Sequence, residues 1–173
     1  MTGRAALFLD RDGVLNEDLG YVNRWEDFRW IPGARRLIKR FNDAGWLVIV
    51  LTNQAGVARG YYDEAAVAKL HSEVNGDLAG VGARIDAFYY CPYHEDAKIE
   101  RYRIADHPDR KPNPGMILRA AEDWKIDLAR SLMIGDKPSD MEAARRAGVE
   151  ALLFSGGDLE AFIDMHRAGF LRA

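Results

Sequence analysis

The sequence contains a single cysteine, Cys91, and no long apolar run, and each scarcity excludes a class of protein. One cysteine cannot form an internal disulfide, so the fold suits a reducing compartment. The longest apolar run, Trp46 to Leu51, falls far short of the roughly 20 residues that a transmembrane helix needs. The apolar stretch before Asp10 is too short for the core of a signal peptide. We therefore expect a cytoplasmic protein that does not enter the membrane.

The sequence also lacks an excess of positive charge. It has 24 Lys and Arg against 27 Asp and Glu, which gives a net charge of -3. Such a chain has no bulk attraction for nucleic acid or an anionic membrane, so any bound anion must be held by local groups. With 48% hydrophobic and 29% charged residues, the composition is that of a globular protein. We expect residues 1–173 to form a single domain, because the chain is too short for two ordinary ones.

Apolar runs alternate with segments of helical periodicity along the chain. This alternation predicts parallel strands joined by right-handed crossovers, and hence a three-layer, Rossmann-like open α/β sheet of mostly parallel strands. The predicted strands are residues 5–9, 47–51, 85–90, 132–134 and 151–154. The predicted helices are residues 32–44, 63–78, 114–124 and 139–147. In such sheets ligands bind at the carboxyl ends of the strands, so the residues that follow the strands are the candidate site.

Polar and charged residues lie at four of these positions. Asp10-Arg11-Asp12-Gly13 follows the first strand, Thr52-Asn53-Gln54 the second and Gly135 to Asp140 the fourth, while Arg110-Lys111 precedes the third helix. A solvated turn would explain the first motif alone, because Asp and Gly are common in turns. Four distant segments that bring carboxylates, a hydroxyl and cations to one edge of the sheet predict a phosphate-binding active site instead.

These segments resemble the four motifs of the haloacid dehalogenase (HAD) superfamily. The corresponding residues are Asp10-x-Asp12-Gly13, Thr52, Lys111 and Gly135-Asp136-x-x-x-Asp140. The resemblance covers the whole chain and implies a phosphomonoester hydrolase in which Asp10 attacks phosphorus and forms an aspartyl-phosphate. Asp12 would protonate the leaving oxygen and then activate the water that hydrolyses the intermediate. Thr52 and Lys111 would hold the phosphoryl oxygens, and the amides of Asn53 and Gln54 could also donate to phosphate.

A phosphate beside Asp10 and Asp136 requires a compensating cation. An all-oxygen site of few carboxylates and waters suits Mg²⁺. We expect Asp10 and Asp136 to bind it through their side chains and, by resemblance, Asp12 through its backbone carbonyl. Asp140 would orient Lys111 or a metal-bound water, unless it is simply an acid favoured at a helix N-terminus.

Within the superfamily, three loops resemble those of the D-glycero-D-manno-heptose 1,7-bisphosphate 7-phosphatases and, less closely, the histidinol-phosphatases. These loops are residues 20–22, 52–60 and 110–116. Many superfamily members carry a large cap domain, but a helix and a strand fill most of the segment between the first two motifs. We therefore expect no large cap, and an open site whose specificity comes from loops.

The resemblance implies a small phosphorylated metabolite as substrate, with removal of the 7-phosphate of the heptose bisphosphate as the expected reaction. Lys111 would serve the reacting phosphate, leaving Arg110 and Lys137 for the distal phosphate or sugar hydroxyls. Asp18 and Tyr21 are further candidate substrate-binding residues. Surface ion pairing is the alternative role for Arg110 and Lys137. Surface ion pairing is also the expected role of Arg59, and Trp25, Phe28 and Trp30 either line the entrance or pack.

Relatives commonly carry a structural zinc loop of the form Cys-x-His … Cys-x-Cys-Arg-Lys-Pro, which corresponds to residues 91–110 here. Tyr93 stands at the first His position, and His107 and Asp109 replace the two cysteines. Cys91, His94, His107 and Asp109 could still form a mixed-ligand site, because zinc accepts S, N and O donors. The altered spacing and the missing thiolates favour a loop without zinc, in which Cys91 is a small buried residue.

Three other functions remain open on the sequence. Histidinol-phosphate or another sugar phosphate could be the substrate, and the preferred anomer of a heptose bisphosphate is undetermined. A phospho-receiver domain would also be α/β with an acidic pocket, but its acceptor Asp follows the third strand, where this chain has Cys91-Pro92. A non-catalytic binding protein would not need the complete set of catalytic groups. The open site favours a monomer.

Overall fold

The computed structural model describes residues 3–167 and Leu171, and its centre is a five-stranded sheet in which every neighbouring pair is parallel. The strands are β1 (Ala6–Leu9), β2 (Leu47–Asn53), β3 (Ala87–Cys91), β4 (Leu132–Gly135) and β5 (Glu150–Leu153). Their order across the sheet is β3-β2-β1-β4-β5. From β1 the chain adds β2 and then β3 on one side, and it adds β4 and then β5 on the other side of β1. The strand order therefore reverses between β1 and β4, and the crevice between these strands is the topological switch point.

Helices cover both faces of the sheet. They are α1 (Ala34–Asp43), α2 (Ala55–Ala58), α3 (Glu64–Ala79), α4 (Gly115–Trp124), α5 (Pro138–Ala147) and α6 (Leu159–His166). Alternate residues of β1 point into two separate cores: Leu7 and Leu9 pack with α1, α3 and α6, while Ala6 and Phe8 pack with α4 and α5. This two-sided burial explains why the strands are continuous apolar runs, and it confirms the predicted three-layer parallel fold.

The register of β1 places the first and fourth motifs side by side. Leu9 pairs with Val50 on one side and with Ile134 on the other. The ladder continues for one residue, because the backbone N–H of Asp10 donates to the carbonyl of Ile134 at 3.1 Å. The residues that follow β1 and β4 therefore leave the sheet as neighbours.

Local signals account for several helix ends. Asp63 caps α3 by accepting a hydrogen bond from the backbone N–H of Ala66. Gly148 ends α5 with a left-handed φ of 74°. At the start of α5, a carboxylate oxygen of Asp140 accepts from the backbone N–H groups of Asp136 and Lys137 at 3.2 and 3.1 Å. These two hydrogen bonds fix the turn that carries Asp136.

The structure shifts some predicted boundaries. The third strand runs from Ala87 to Cys91 rather than 85–90, and the fifth begins at Glu150 rather than 151. The short helix α2 and the helix α6 have no counterpart among the predicted elements. The sequence predicts only packing for the segment from Phe162 to Leu171. In the structure Phe162 is buried and Leu171 packs on the core, while residues 168–170 lie outside the described residues.

The segment between β1 and β2 contributes packing rather than a cap. Trp25, Phe28 and Trp30 form an aromatic series, with ring centroids 5.4 and 5.0 Å apart, and all three contact the core. Within residues 11–33 the only regular element is the single turn Trp25–Asp27. No helix in the described part of the chain is long and apolar enough to cross a membrane.

Candidate active site

A buried lysine joins two carboxylates at the switch point. The ammonium of Lys111 lies 2.8 Å from Oδ1 of Asp10 and 2.7 Å from Oδ1 of Asp140, and it also donates to the carbonyl of Leu51 at 2.8 Å. All three charged residues are buried, with exposures of 5% for Lys111, 6% for Asp10 and 1% for Asp140. A lysine with this set of partners is fixed in position, so it presents a fixed positive charge beside Asp10.

Burial and charge oppose one another in this cluster. Burial raises the pKa of the Asp10 carboxyl to about 7, although the Lys111 ammonium lowers it. Burial alone would lower the pKa of Lys111, but Asp10 and Asp140 outweigh it and raise that pKa above its usual value. Burial also raises the pKa of Asp136. The cluster is therefore short of positive charge when it holds no metal.

A divalent cation fits this deficit. Among residues 3–167 and Leu171, Asp10, Asp136 and Asp140 are the one group of three potential metal-binding side chains whose ligand atoms all lie within 4.8 Å of one another. The Oδ1 atom of Asp136 is buried and has no hydrogen-bond partner among the described residues. An unpartnered buried carboxylate oxygen is costly unless a cation approaches it. Because Asp140 is already used by Lys111 and the α5 turn, Asp10 and Asp136 are the side chains that suit Mg²⁺.

Asp12 is held by several donors in the turn after β1. Its Oδ1 accepts from Arg11 and from the amide of Asn16, each at 3.0 Å, and its Oδ2 accepts from the amide of Gln54 at 3.0 Å. The carboxyl remains partly exposed, at 18% of the side chain. Asp12 therefore has a fixed orientation and access to the cleft, which a group that exchanges protons with substrate and water requires.

The two amides predicted to contact phosphate are engaged with protein groups in the structure. Asn53 bonds the backbone of Lys111 twice, because its side-chain oxygen accepts from the N–H and its nitrogen donates to the carbonyl, each at 3.1 Å. Gln54 donates to Asp12 and to the hydroxyl of Thr52, the latter at 2.8 Å. These amides position catalytic groups here, and a direct contact of either with phosphate stays a prediction.

Thr52 and Tyr62 complete this side of the site. Thr52 is the last buried residue of β2, at 1% exposed, and its oxygen accepts from Gln54, so its own hydrogen can serve a phosphate oxygen. The hydroxyl of Tyr62 donates to Oε1 of Gln54 at 2.6 Å, which determines which end of the amide faces Asp12. Burial raises the pKa of Tyr62 to about 12, so it stays a neutral donor. Sequence reasoning did not select Tyr62, because no motif marks it.

Arg11 and His71 are further residues that sequence reasoning missed. Arg11 stands between the two motif aspartates, yet its side chain is fully buried. Its guanidinium bonds Asp12, the carbonyl of Val22 at 2.5 Å and Nε2 of His71 at 3.4 Å. A cation between two acids in sequence was a signal for the Arg11–Asp12 pair, whereas the approach of His71 from α3 depends on packing.

The acidic cluster opens into a cleft of about 650 Å³. The cleft is lined by most of the residues predicted for the site, namely Asp10, Asp12, Asp18, Tyr21, Thr52, Asn53, Gln54, Arg110, Lys111 and Lys137, and also by Tyr62, His94, Glu95 and Asp140. At its mouth Lys137 lies 3.5 Å from Asp18, and the exposed ring of Tyr21 packs edge-on against Tyr61. These contacts lie at the surface, where a ligand could replace them.

Two arginines flank the cleft. Arg110 is half-buried and donates to the carbonyl of Tyr93 at 3.2 Å, and burial lowers its pKa. Arg59 differs from the predicted surface ion pair: it is half-buried, its Nε has no hydrogen-bond partner among the described residues, and its guanidinium lies 5.9 Å from the ring of Tyr21. Arg110 therefore lines the cleft, whereas Arg59 lies next to Tyr21, a residue that lines it.

The four residues at the zinc-loop positions have partners of their own. His94 and His107 each accept a backbone N–H on Nδ1 at 3.0 Å, from Asp96 and Asp109 respectively. The carboxylate of Asp109 pairs with Arg119 at 2.5 Å, and the thiol of buried Cys91 lies 4.0 Å from the carbonyl of Tyr93. The ring of Tyr93 stacks on that of His107 with centroids 4.1 Å apart. Packing and hydrogen bonds therefore contribute to holding this loop, and the absence of zinc from it stays a prediction.

The chain is similar to known proteins in both sequence and fold. The HAD-hydrolase-like family model matches residues 109–162. The chain is 46% identical to the D-glycero-beta-D-manno-heptose-1,7-bisphosphate 7-phosphatase of Rhodopseudomonas palustris, an alignment that covers 95% of this chain and 94% of the relative. It is 48% identical to the corresponding alpha-anomer enzyme of Burkholderia mallei, over 86% of this chain and 78% of the relative.

A solved structure gives the same relationship. The D,D-heptose 1,7-bisphosphate phosphatase from B. bronchiseptica, complexed with magnesium and phosphate, matches with a TM-score of 0.79 and 33% identity. The match covers 93% of this chain and 86% of that structure. The similarity therefore extends over the fold as a whole and includes the strands whose ends form the acidic cluster.

Proposed function

The chain belongs to the D-glycero-D-manno-heptose-1,7-bisphosphate 7-phosphatase family of HAD-type phosphatases, and we propose that it removes the 7-phosphate of that heptose bisphosphate. The protein is a phosphoric monoester hydrolase that uses magnesium. One observation carries the specific proposal: the side chains of Asp10, Asp12, Thr52, Lys111 and Asp136, which come from four segments, converge on one edge of the sheet. That edge faces an open cleft large enough for a phosphorylated sugar.

Asp10 is the proposed nucleophile. Its carboxylate attacks phosphorus, forms a P–O bond and releases the sugar oxygen, so that one difficult displacement becomes two easier steps. The fixed ammonium of Lys111 lies beside the attacking carboxylate and offsets the negative charge of the phosphoryl oxygens. The hydroxyl of Thr52 donates to one of those oxygens. Water then attacks the aspartyl-phosphate and regenerates the Asp10 carboxylate with release of inorganic phosphate.

Asp12 is the proposed acid and base. In the first step its carboxyl gives a proton to the departing sugar oxygen, and in the second its carboxylate accepts a proton from the attacking water. The bonds from Arg11, Asn16 and Gln54 keep the carboxyl in one orientation through both steps. Proton transfer requires this, because the donor must lie within hydrogen-bond reach of the reacting oxygen.

Mg²⁺ would be held by the side chains of Asp10 and Asp136 and by the backbone carbonyl of Asp12. When bound, it neutralises the phosphate and orients it for in-line attack. Asp140 is not one of the proposed ligands, since its carboxylate is bonded to Lys111 and to two backbone N–H groups. The proposed role of Asp140 is to fix Lys111 and the turn that carries Asp136.

The second phosphate of the substrate would lie toward the mouth of the cleft. Arg110 and Lys137 are the proposed cations for it, and Asp18 and Tyr21 would contact sugar hydroxyls or the ring. Asp18 must then break its 3.5 Å contact with Lys137 in order to bind the ligand. Because the two relatives compared above act on opposite anomers, the anomer that this chain prefers is an experimental question.

Substitution of the nucleophile tests the reaction. Asp10→Asn should lose at least ~10³-fold in kcat, since the uncharged amide cannot form the covalent intermediate. The variant should remain folded by circular dichroism and thermal melting. Asp43→Asn, at an exposed residue of α1 that pairs with Lys39, is the matched control and should keep wild-type kcat. Near-native turnover by Asp10→Asn would contradict the assignment.

A substrate panel tests the specificity. Both anomers of the heptose bisphosphate, the heptose 7-phosphate and histidinol-phosphate should be compared by kcat/KM. We expect the bisphosphate to exceed the monophosphates by at least ~10-fold, because the second phosphate gains charge-assisted bonds. Arg110→Met should abolish that preference while leaving activity on the monophosphate within about 2-fold. Histidinol-phosphate as the best substrate would instead establish the rival function.

We further propose that the enzyme acts as a monomer in the cytoplasm, with neither nucleic acid nor membrane as a partner. A single chain supplies every group of the proposed mechanism, and the net charge of -3 offers no general affinity for polyanions. Light scattering coupled to gel filtration tests the oligomeric state. A dimer whose dissociation abolished turnover would contradict the proposal.

A further inference from the structure

A fully buried arginine stands behind the proposed acid and base. The side chain of Arg11 has no exposed surface, although it carries a full charge. Burial of an unpaired guanidinium is strongly unfavourable, so hydrogen-bond partners must compensate for its lost hydration. Only one of those partners, Asp12, is an acid; the others are the carbonyl of Val22 and the ring of His71 on α3.

His71 can serve Arg11 only as an acceptor. Its Nε2 lies 3.4 Å from Nη1 of Arg11, and all nitrogens of a guanidinium are donors. The ring must therefore be neutral, with its proton on Nδ1. Packing fixes the ring plane, because His71 stacks on Phe88 of β3 with centroids 4.3 Å apart and an interplanar angle of 11°. Burial, and secondarily the charge of Arg11, lower the pKa of His71 to about 3, in keeping with this neutral state.

Arg11 connects three parts of the molecule. Its Nη2 bonds both Asp12, at 3.0 Å, and the carbonyl of Val22, at 2.5 Å, and its Nε lies 3.3 Å from the same oxygen of Asp12. Val22 ends the loop that carries Asp18 and Tyr21 along the cleft. The contact with His71 is made by Nη1, the nitrogen on the opposite side of the guanidinium. A change at His71 would therefore free one side of the guanidinium and loosen one of the three groups that hold Asp12, the other two being Asn16 and Gln54.

We propose that His71 is a positioning residue for catalysis, which accepts a hydrogen bond from Arg11 and thereby holds Asp12 where it can protonate the leaving oxygen. This inference rests on the proposed function, in which Asp12 is the general acid. His71 touches neither substrate nor metal, and it acts through one intervening side chain. Nothing in the motif comparison assigns a role to this helix.

The dependence on the leaving group separates this role from a structural one. General acid catalysis matters most for a poor leaving group, such as a sugar alkoxide, and little for a good one, such as 4-nitrophenolate. A displaced Asp12 should therefore lower kcat/KM for a sugar phosphate and leave kcat/KM for 4-nitrophenyl phosphate almost unchanged. We define the leaving-group ratio as kcat/KM for 4-nitrophenyl phosphate divided by kcat/KM for the sugar phosphate.

Three substitutions of His71 test the proposal. His71→Leu removes the acceptor, and His71→Asn retains an amide that is too short to reach Arg11; both should raise the leaving-group ratio by ~10-fold, mainly through kcat. His71→Gln places an oxygen near the position of Nε2 and should keep the ratio within about 2-fold of wild type. Val74→Ala, at a buried residue on the same helix, should lower the melting temperature without changing the ratio.

The outcomes are distinguishable. Wild-type ratios in both His71→Leu and His71→Asn would overturn the inference, as would a raised ratio in Val74→Ala. If His71→Leu does not fold, His71→Asn and His71→Gln still decide the question. Asp12→Asn serves as the reference variant. An unchanged ratio in Asp12→Asn would overturn the proposed function itself, whereas a raised ratio there with wild-type ratios in the His71 variants would overturn only the inference about His71.

Discussion

Gly13 lies against the carboxylate of Asp136 so closely that a Cβ atom at residue 13 would overlap both Oδ2 and Cγ of the aspartate. Gly13 also has a left-handed φ of 93°, which residues with a Cβ rarely adopt. Two requirements therefore coincide at this glycine: the turn after Asp12 needs its backbone conformation, and Asp136 needs the space. Gly13 therefore contributes to the proposed metal site by having no side chain, because this leaves room for the carboxylate of Asp136.

Gly13→Ala should remove activity without unfolding the protein. The methyl group must displace Asp136, so we expect kcat to fall by at least ~100-fold and the Mg²⁺ concentration for half-maximal activity to rise. Steady-state kinetics over a Mg²⁺ titration would measure both. Gly45→Ala is the matched control, because Gly45 has a φ of 77° and open space around its Cβ position. It should cost ~1 kcal/mol of stability and leave kcat intact; an equal kcat loss in both variants would contradict the account.

Lys111→Met should destabilise the metal-free protein in a pH-dependent manner. The substitution leaves Asp10 and Asp140 buried without their cation, and breaking such a buried pair typically costs ~3 kcal/mol or more. Burial raises the pKa of Asp10 to about 7, and a protonated Asp10 needs no cation, so the loss should be smaller at pH 5 than at pH 8. Urea denaturation in EDTA at the two pH values would measure this.

The control for that experiment is Lys39→Met, at an exposed lysine paired with Asp43 on α1. Exposed pairs of this kind contribute less than about 1 kcal/mol, so the control should denature almost as wild type does. A Lys111→Met variant as stable as wild type at pH 8 would show that the ammonium does not offset the two carboxylates.

His71 should make the protein sensitive to acid. Its pKa is about 3 in the folded state against an ordinary value of 6.5, so the unfolded chain binds a proton that the folded chain rejects. The folded state therefore loses stability as the pH falls below about 6.5, by up to ~1.4 kcal/mol per pH unit. The His71→Gln variant should lack this pH-dependent loss of stability. Its free energy of unfolding, relative to that of wild type, should therefore rise as the pH is lowered from 6.5 to 4. Parallel curves for the two proteins over that range would contradict the prediction.

The loop of residues 91–110 should fold without zinc. Its potential ligands are occupied by backbone N–H groups, by Arg119 and by packing, and the ring of Tyr93 stacks on His107. Protein purified without added zinc should contain much less than one zinc ion per chain, as measured by elemental mass spectrometry. Treatment with EDTA, followed by removal of the chelator and addition of Mg²⁺, should restore full activity. Stoichiometric zinc, or a loss of activity that only zinc reverses, would contradict this expectation.

The sequence alone was sufficient to predict which residues lie at the carboxyl ends of the strands. Asp10, Thr52 and Asp136 follow apolar runs, and parallel pairing brings such positions to one edge whatever the surrounding detail. The strand boundaries moved by one or two residues, because tertiary pairing rather than local propensity decides where a ladder stops. Helix α6 was missed since its apolar residues were read as packing alone.

The side-chain partners could not be predicted in the same way. Asn53 and Gln54 have amides that could serve phosphate or protein equally well, and the choice depends on Lys111 and Tyr62, which reach them from elsewhere in the chain. Asp140 could have served Lys111, a metal-bound water or the N-terminus of a helix, and in the structure it both contacts Lys111 at 2.7 Å and accepts backbone N–H groups at the start of α5. Contacts such as Arg11 to His71 arise from the packing of α3 on the sheet, and no spacing in the sequence encodes them.

The central place of β1 has a consequence for synthesis on the ribosome. One edge of β1 pairs with β2, but the other must wait for β4, which starts at Leu132. Until then the nascent chain carries an unpaired apolar strand edge, a kind of surface that invites aggregation. Lys111, Asp136 and Asp140 also lie more than 100 residues after Asp10 in the chain, so Asp10 meets these three charged neighbours only after they have been translated. The insertion of β4 beside β1 would therefore both pair the open strand edge and bring Asp136 and Asp140 to Asp10.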